Sequence, residues 1–289
     1  MPIYPIPGLS LYDNMPQLRA KKSLGQHFLI DPKFHERIVG ALKIQVNDVV
    51  VEIGPGTGLL TRELLKSPLE RLIAFELDDR AIPILKESFK SEGERFEVRE
   101  QDFLLTDLGE LSRSIGQTLR IAGNIPYYIT SPILFKLIDD REYIQDAILL
   151  VQLEVAERLT ARSHTKAYGI PTVLANFFGE VKYLFRVPAG AFRPVPKVDS
   201  AVVYIDFRRD YFTRSPIDPP SNFDNSFFRM LVRTLFAMRR KTIRNNLKAL
   251  ISTEKLAAIE QSPHAHYLNA RAEELSIQDF LVLMELITA

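Results

Sequence analysis

The sequence contains no cysteine and no tryptophan. Without cysteine there is no disulfide framework, no thiolate nucleophile and no cysteine-ligated zinc. No apolar run approaches the ~20 residues of a membrane-spanning helix. The opening stretch, MPIYPIPGLSLYDNMPQLRAKKS, lacks the basic-then-apolar order of a signal peptide. A soluble, cytoplasmic protein is therefore expected. An excess of one charge is also missing: 37 Lys plus Arg against 36 Asp plus Glu give +1 over 289 residues. That excludes a chain basic all over, but not a local basic surface. Charged residues at 25% and apolar residues at 46% exclude wholesale disorder. The length predicts one or two domains with ample core.

Proline and the absence of periodicity mark residues 1–18 as an irregular arm. Asp31-Pro32 predicts a capped helix to about Leu42. Strand-like and helix-like segments then alternate. Strands are expected at Val49–Ile53, Leu72–Phe75, Phe96–Val98, Leu119–Ala122 and Ala147–Val151, with helices at 59–66, 81–90 and 154–161. Late strands are expected at 172–178 and 202–207. Short apolar strands alternating with helices predict a parallel sheet covered on both faces. The segment RDYFTRSPIDPPSNFD reads as a linker. Beyond it the patterns are helical, with Ser221/Asp224 and Ser276/Asp279 as helix-start signals. Residues 19–210 thus form an α/β domain, and 211–289 a small helical one.

Gly54-Pro55-Gly56-Thr57-Gly58 sits between a predicted strand and a predicted helix. Glycine there lets backbone approach a ligand, and the helix N-terminus favours negative charge. Taken alone, such a loop is also a simple tight turn. Dinucleotide folds need G-x-G-x-x-G; here the third glycine comes one residue early. The pattern E-x-G-x-G-x-G is similar to the first motif of class I S-adenosylmethionine (SAM)-dependent methyltransferases. Glu76, 22 residues after Gly54, ends the next strand, where a carboxylate can accept both ribose hydroxyls. Asp102, past the third strand, is placed to accept from an adenine amine.

Asn124-Ile125-Pro126-Tyr127 follows the fourth strand. It resembles the motif of methyltransferases that act on an exocyclic amine. Such an amine is a poor nucleophile because its lone pair is delocalised into the ring. The Asn124 side-chain oxygen and the Ile125 carbonyl can hold its two hydrogens. Pro126 fixes the backbone so that these acceptors converge, and the Tyr127 ring can stack on a base.

With KKSLGQHFLID, VVEIGPGTGLLT, QDFL, GNIPYYITSPI and FRPVPKVDSAVV in this order, nearly the whole chain from Lys21 resembles the KsgA/RsmA family of ribosomal RNA adenine dimethyltransferases, related to the Erm methyltransferases. The resemblance implies a Rossmann-like, class I SAM-dependent methyltransferase domain with a C-terminal helical RNA-binding domain. It implies SAM-dependent N6-dimethylation of two adjacent adenosines near the 3′ end of small-subunit rRNA, on a pre-30S ribosomal particle, by a monomer. It also implies site roles. His27 and Leu29 border the cofactor, Gly54 and Gly56 face its methionine moiety, Glu76 its ribose and Asp102 its adenine. Asn124 lies between cofactor and target amine, and Phe192 stacks on the base opposite Tyr127. Two positions depart from the family: His27 replaces Asn, which makes cofactor affinity sensitive to imidazole protonation, and Tyr128 replaces Asn.

Residues 225–253 carry Arg229, Arg233, Arg239, Arg240, Lys241, Arg244 and Lys248 and no acid, a local +7. On a single helix Arg229, Arg233, Arg240 and Arg244 would share one face, as an RNA substrate needs for phosphate neutralisation. Arg19, Lys21 and Lys22 form a second basic cluster, and Lys182, Arg186, Arg193 and Lys197 a third. His35, His164, His264 and His266 show no ligand spacing, so no metal is expected. The pairs Phe177-Phe178 and Phe227-Phe228 read as core. An Erm-like enzyme of large-subunit rRNA and a non-catalytic RNA-binding factor remain open alternatives.

Overall fold

A computed structural model describes residues 18, 20, 21, 24–219 and 223–288. Apart from Leu18 the expected arm lies outside the described residues, as do Arg19, Lys22 and Ser221. The chain begins with β1 (Phe28–Leu29) and α1 (Pro32–Leu42). Asp31 caps α1 as expected, its carboxylate accepting from the Lys33 N–H, with proline in the first turn. The alternation then runs β2 (Val49–Ile53), α2 (Leu59–Leu65), β3 (Arg71–Glu76), α3 (Ala81–Ser88), β4 (Phe96–Glu100), α4 (Leu108–Ile115), β5 (Leu119–Asn124), α5 (Thr130–Asp139) and β6 (Ile144–Gln152). It continues through α6 (Leu153–Leu159), α7 (Ile170–Phe178), β7 (Glu180–Val187), β8 (Phe192–Arg193), β9 (Ser200–Asp206) and α8 (Tyr211–Arg214). The C-terminal helices are α9 (Asn225–Phe236), α10 (Ile243–Leu247), α11 (Thr253–Glu260) and α12 (Ile277–Thr288).

Among the described residues the main sheet has seven strands in the order β4-β3-β2-β5-β6-β9-β7. The first five are parallel, and β9 runs antiparallel to both β6 and β7. Every residue of β2 is buried, as helices on both faces require. One hydrophobic cluster fills each face of the sheet, and the larger runs on without a break into α9 and α12. There Phe177 of α7 stacks on Phe228 of α9 with ring centroids 4.1 Å apart. Phe177, Phe178 and Phe228 are core, whereas Phe227 is only partly buried.

Three expectations change. Residues 172–178 form helix α7, not a strand, and the strand is the neighbouring β7. The run IPTVLANFF is apolar all round, so period does not separate helix from strand. Local chemistry decides: Pro171 sits in the first turn, and the Gly169 N–H donates to Thr172 Oγ1 at 3.1 Å. The charges of β7 hid it, but it lies at the sheet edge, where charge is tolerated. Third, 225–253 is not a single helix. It breaks after Phe236 and resumes at Ile243, with the buried Asn246 amide donating to the Leu235 carbonyl at 2.7 Å across the turn. The start signal at Ser276 and Asp279 is reciprocal as expected: the Ser276 N–H donates to Asp279 Oδ2 at 2.7 Å and the Asp279 N–H to Ser276 Oγ at 3.3 Å.

At the amino end of the sheet, a buried ion cluster locks β5 to β6. Arg120 donates to Asp146 at 2.9 and 2.6 Å and to Asp48 at 2.6 Å, and also to the Leu42 carbonyl. The Tyr204 hydroxyl donates to Asp146 at 2.8 Å. Removing one partner leaves a buried guanidinium without its counter-charge. Asp146→Ala is therefore expected to cost about 3–5 kcal/mol in urea unfolding; a loss below about 1 kcal/mol would show that water replaces the carboxylate.

Candidate cofactor and nucleic-acid site

From β2 the chain moves outward through β3 to β4, then returns to place β5 on the other side of β2. The sheet therefore reverses direction between β2 and β5, and ligands of open α/β sheets bind beyond the carboxyl ends at such a point. The main cleft lies there, enclosing about 790 Å³ of space open to solvent. Its lining brings together His27, Gly54, Gly56, Glu76, Asp102, Asn124, Ile125, Pro126 and Tyr127. Leu29 and Phe192 are not in it.

The glycine loop leaves β2 in left-handed backbone, with φ +64° at Gly54 and +54° at Gly56. The two glycines serve different ends. A Cβ at Gly56 would fall 2.8 Å from the Phe28 ring, so side-chain packing requires the glycine. A Cβ at Gly54 would meet nothing within 4 Å, so that backbone is open to a ligand. The Gly56 N–H donates to Glu76 Oε2 at 2.8 Å, while Glu76 Oε1 accepts from the N–H groups of Leu77 and Asp78, both at 2.8 Å. Burial pushes the Glu76 carboxyl above its ordinary range, against the pull of these three bonds. Asp102 Oδ1 accepts from the Leu104 N–H at 2.9 Å, which turns the chain after β4 along the cleft.

Across the cleft, the Asn124 amide nitrogen donates to the His27 carbonyl at 2.9 Å. A carbonyl can only accept, so this bond fixes the amide orientation and leaves Oδ1 as its acceptor. The Tyr127 hydroxyl meets Ser200 Oγ at 2.9 Å, and its ring stacks on His27 with centroids 5.6 Å apart and planes at 22°. His27 Nδ1 lies 2.8 Å from the Pro194 carbonyl and must be the donor there. The single N–H of a neutral ring is thereby used, and Nε2 is left as an acceptor. A neutral His27 that borders the cofactor can therefore offer it an acceptor and not a donor.

Two further placements differ from expectation. Phe192 is fully buried, paired with Leu29 across the β1–β8 ladder, and offers no face to a base opposite Tyr127. The burial of both side chains in the hydrophobic cluster below the cleft is the reason. Leu29 instead lines a smaller cavity behind the glycine loop, shared with Gly54 and Asn124. Sequence reasoning also missed Gln26 and Asp78. The Gln26 amide donates to Asp78 at 3.0 Å and accepts the Lys21 N–H at 2.8 Å, tying the 21–26 segment to the end of β3. Nothing in the spacing announces that pair.

The basic surface is more selective than its sequence. Arg229 pairs with Asp139 and lies 4.8 Å from the Phe178 ring. Arg239 bonds Glu273 and the carbonyls of Lys166 and Tyr168, and Arg244 pairs with Glu260. Those three hold helices together. Arg233 is exposed with its guanidinium 5.6 Å from the Phe135 ring. Arg240, Lys241 and Lys248 are exposed, and none of the three forms an ion pair among the described residues. The break after α9 puts Arg240 and Lys241 in a turn, not on a shared helical face with Arg229.

A family model for ribosomal RNA adenine dimethylase matches residues 17–289. The chain belongs to that family. It is a methyltransferase of the class I, Rossmann-like fold. It is 43% identical to ribosomal RNA small subunit methyltransferase A of Chlorobium phaeobacteroides strain BS1, covering 93% of this chain and 94% of the relative. It is 35% identical to the protein of the same name from Mycoplasma mobile, over 91% of this chain and 96% of the relative. Among solved structures, it is similar to a dimethyladenosine transferase from Plasmodium falciparum, with TM-score 0.72, 28% identity, and coverage of 90% and 97%. The 23S rRNA methyltransferase ErmE aligns with TM-score 0.67 and 27% identity, covering 91% of this chain and all of ErmE.

The acid that opens the E-x-G-x-G-x-G pattern, Glu52, lies behind the glycine loop. Glu52 is the lone acid in the buried run VVVEI, and that isolation is the signal that marks it. It is fully enclosed and accepts from the Thr61 hydroxyl at 2.7 Å, and burial pushes its carboxyl up to about 8. The folded state therefore holds a proton that the unfolded chain releases near pH 4.5. Stability from this group is fully present below pH 4.5 and is lost as pH rises through about 8. Glu52→Gln, which keeps the shape and cannot ionise, should flatten that decline in urea unfolding across this range; an unchanged slope would mean that Glu52 is not its source.

Proposed function

We propose that this chain transfers methyl groups from SAM to N6 of two adjacent adenosines near the 3′ end of small-subunit rRNA, within an assembling pre-30S particle in the cytoplasm. The observation that carries this reading is the fixed Asn124 amide, whose acceptor faces a cleft at the switch point of the sheet. The relatives at 35–43% identity are named for the small subunit, which favours it over an Erm-like target.

The residues present fit SAM. Gly54 leaves open backbone for a methionine moiety. The Glu76 carboxylate, held by three N–H groups, keeps an acceptor position on Oε2 for a ribose hydroxyl. Asp102 and the apolar cleft wall suit an adenine. When bound, SAM supplies an electrophilic methyl on a sulfonium. Asn124 Oδ1 and the Ile125 carbonyl accept the two hydrogens of the target amine and favour a pyramidal nitrogen. Pro126 holds that carbonyl in place, and the Tyr127 ring, fixed through Ser200 and His27, forms the wall beside the base. No strong general base is required. In-line positioning supplies ~7–11 kcal/mol of barrier lowering, and the released proton passes to water. Arg240, Lys241 and Lys248 neutralise phosphates, offsetting the few kcal/mol needed to unstack the target. The protein acts as a monomer in this scheme.

Three experiments test the scheme. Labelled SAM is incubated with small subunits lacking the modification, and the methylated nucleotides are mapped; label on large-subunit RNA, or none, overturns it. In the same assay Asn124→Ala should lower transfer by about 10²–10³ while SAM binding by calorimetry stays within a few-fold. Equal loss of both would assign Asn124 to cofactor binding alone. Paired reversal, Arg240→Glu with Lys241→Glu, should flatten the salt dependence of RNA binding by about two phosphate contacts; an unchanged slope would remove this turn from the RNA interface.

A further inference from the structure

The tetrapeptide is followed by a second tyrosine with a different environment. Tyr127–Ile129 is a single 3₁₀ turn, in which successive side chains point about 120° apart. Tyr127 turns into the cleft wall, its hydroxyl on Ser200 and its ring on His27. Tyr128 turns to the cleft mouth and is 57% exposed. An exposed large aromatic at the rim of a ligand cleft calls for an explanation, since the core gains little from it. The ring is nonetheless held in place. Gly25, in left-handed backbone at φ +57°, lies against one side of it, close enough that a Cβ would come within 3.1 Å of Cδ1. The same short segment carries the exposed Lys21, whose carbonyl accepts the Leu24 N–H at 3.0 Å and whose own N–H is held by Gln26 at 2.8 Å. The Lys21 backbone is thus tied to Leu24 and Gln26, which line the cleft with Tyr128, and an exposed aromatic with a nearby exposed cation is the combination that single-stranded nucleic acid recognises.

We propose that Tyr128 is a stacking platform for the nucleotide that flanks the target adenosine, with Lys21 beside it for the adjoining phosphate. The inference rests on the proposed RNA substrate. A base drawn into the cleft leaves its neighbour with one face unstacked. A ring fixed at the mouth replaces that lost partner and stabilises the opened strand. Tyr128 is then a specificity-determining contact to RNA, distinct in role from Tyr127, which belongs to the inner wall. Its effect falls on RNA affinity and not on the cofactor.

The probe is a small-subunit rRNA hairpin with 2-aminopurine directly beside the tandem adenosines, titrated against wild type, Tyr128→Ala and Tyr128→Phe. Stacking quenches 2-aminopurine, so wild type and Tyr128→Phe should quench it and Tyr128→Ala should not. The hairpin Kd should rise about tenfold in Tyr128→Ala, stay within about twofold in Tyr128→Phe, and the SAM Kd should not move. Equal hairpin affinity in wild type and Tyr128→Ala overturns the proposal. So does a SAM Kd that rises in parallel, which makes Tyr128 part of the cofactor wall, and so does a Tyr128→Phe that behaves as Tyr128→Ala, which assigns the role to the hydroxyl. If wild type binds the hairpin but transfers no methyl to small subunits lacking the modification, the proposed function fails while Tyr128 is still judged on Kd and quenching. If wild type does not bind it, the stacking proposal falls, and the proposed function is judged on the small-subunit assay.

Discussion

The candidate site hangs on one buried carboxylate. Glu76 accepts backbone N–H groups from the glycine loop after β2 and from the turn after β3. Those two loops end neighbouring parallel strands that are paired residue by residue up to Ile53 and Phe75. The last backbone bond between them is the Gly54 N–H to the Phe75 carbonyl at 2.9 Å, and beyond it left-handed glycine backbone has little preference of its own. Glu76 supplies a side-chain link between them, and its Oε2, which accepts only the Gly56 N–H, retains an acceptor position. Burying the carboxylate is unfavourable, as its raised pKa records, and the three charge-assisted bonds offset that cost. The group that shapes the loop is thus the group that a ribose would meet, so the site is organised before a ligand enters.

The opposite wall follows the same logic through Asn124. Its amide nitrogen is satisfied by the His27 carbonyl, from a strand-forming segment almost 100 residues earlier in the chain. His27 is in turn anchored to Pro194 and stacked against Tyr127, whose hydroxyl rests on Ser200. Four separated stretches of sequence thereby fix one acceptor. A short or flexible side chain loses rotamer freedom when it is used, and here that loss is met by folding and not by binding.

Near-neutral total charge conceals two uses of cations. Arg120, Arg229, Arg239 and Arg244 are consumed internally, joining strands or helices through carboxylates and carbonyls. Arg240, Lys241, Lys248 and Lys21 project from turns and rims, where a phosphate can reach them. A count of basic residues cannot separate these groups, because acids that lie far away in sequence, such as Asp139 and Glu273, become neighbours only on folding.

The sequence alone reveals the alternation of strands and helices, the capped start of α1, and the positions of the glycine loop, Glu76, Asp102 and Asn124, because those signals are local: a cap, a period, a loop between a strand and a helix. It misread 172–178 because an all-apolar run has no period, and it joined 225–253 into one helix because the buried Asn246 that closes the turn reads like any polar residue. Which side chains face the cleft was settled by folding. Phe192 went to the core and Tyr128 to the mouth, His27 donates its Nδ1 proton to Pro194, and three of the seven arginines and lysines of the basic segment pair with acids of the same chain. Each outcome depends on partners remote in the chain, and burial and hydrogen-bond satisfaction are settled among those partners and not along the sequence.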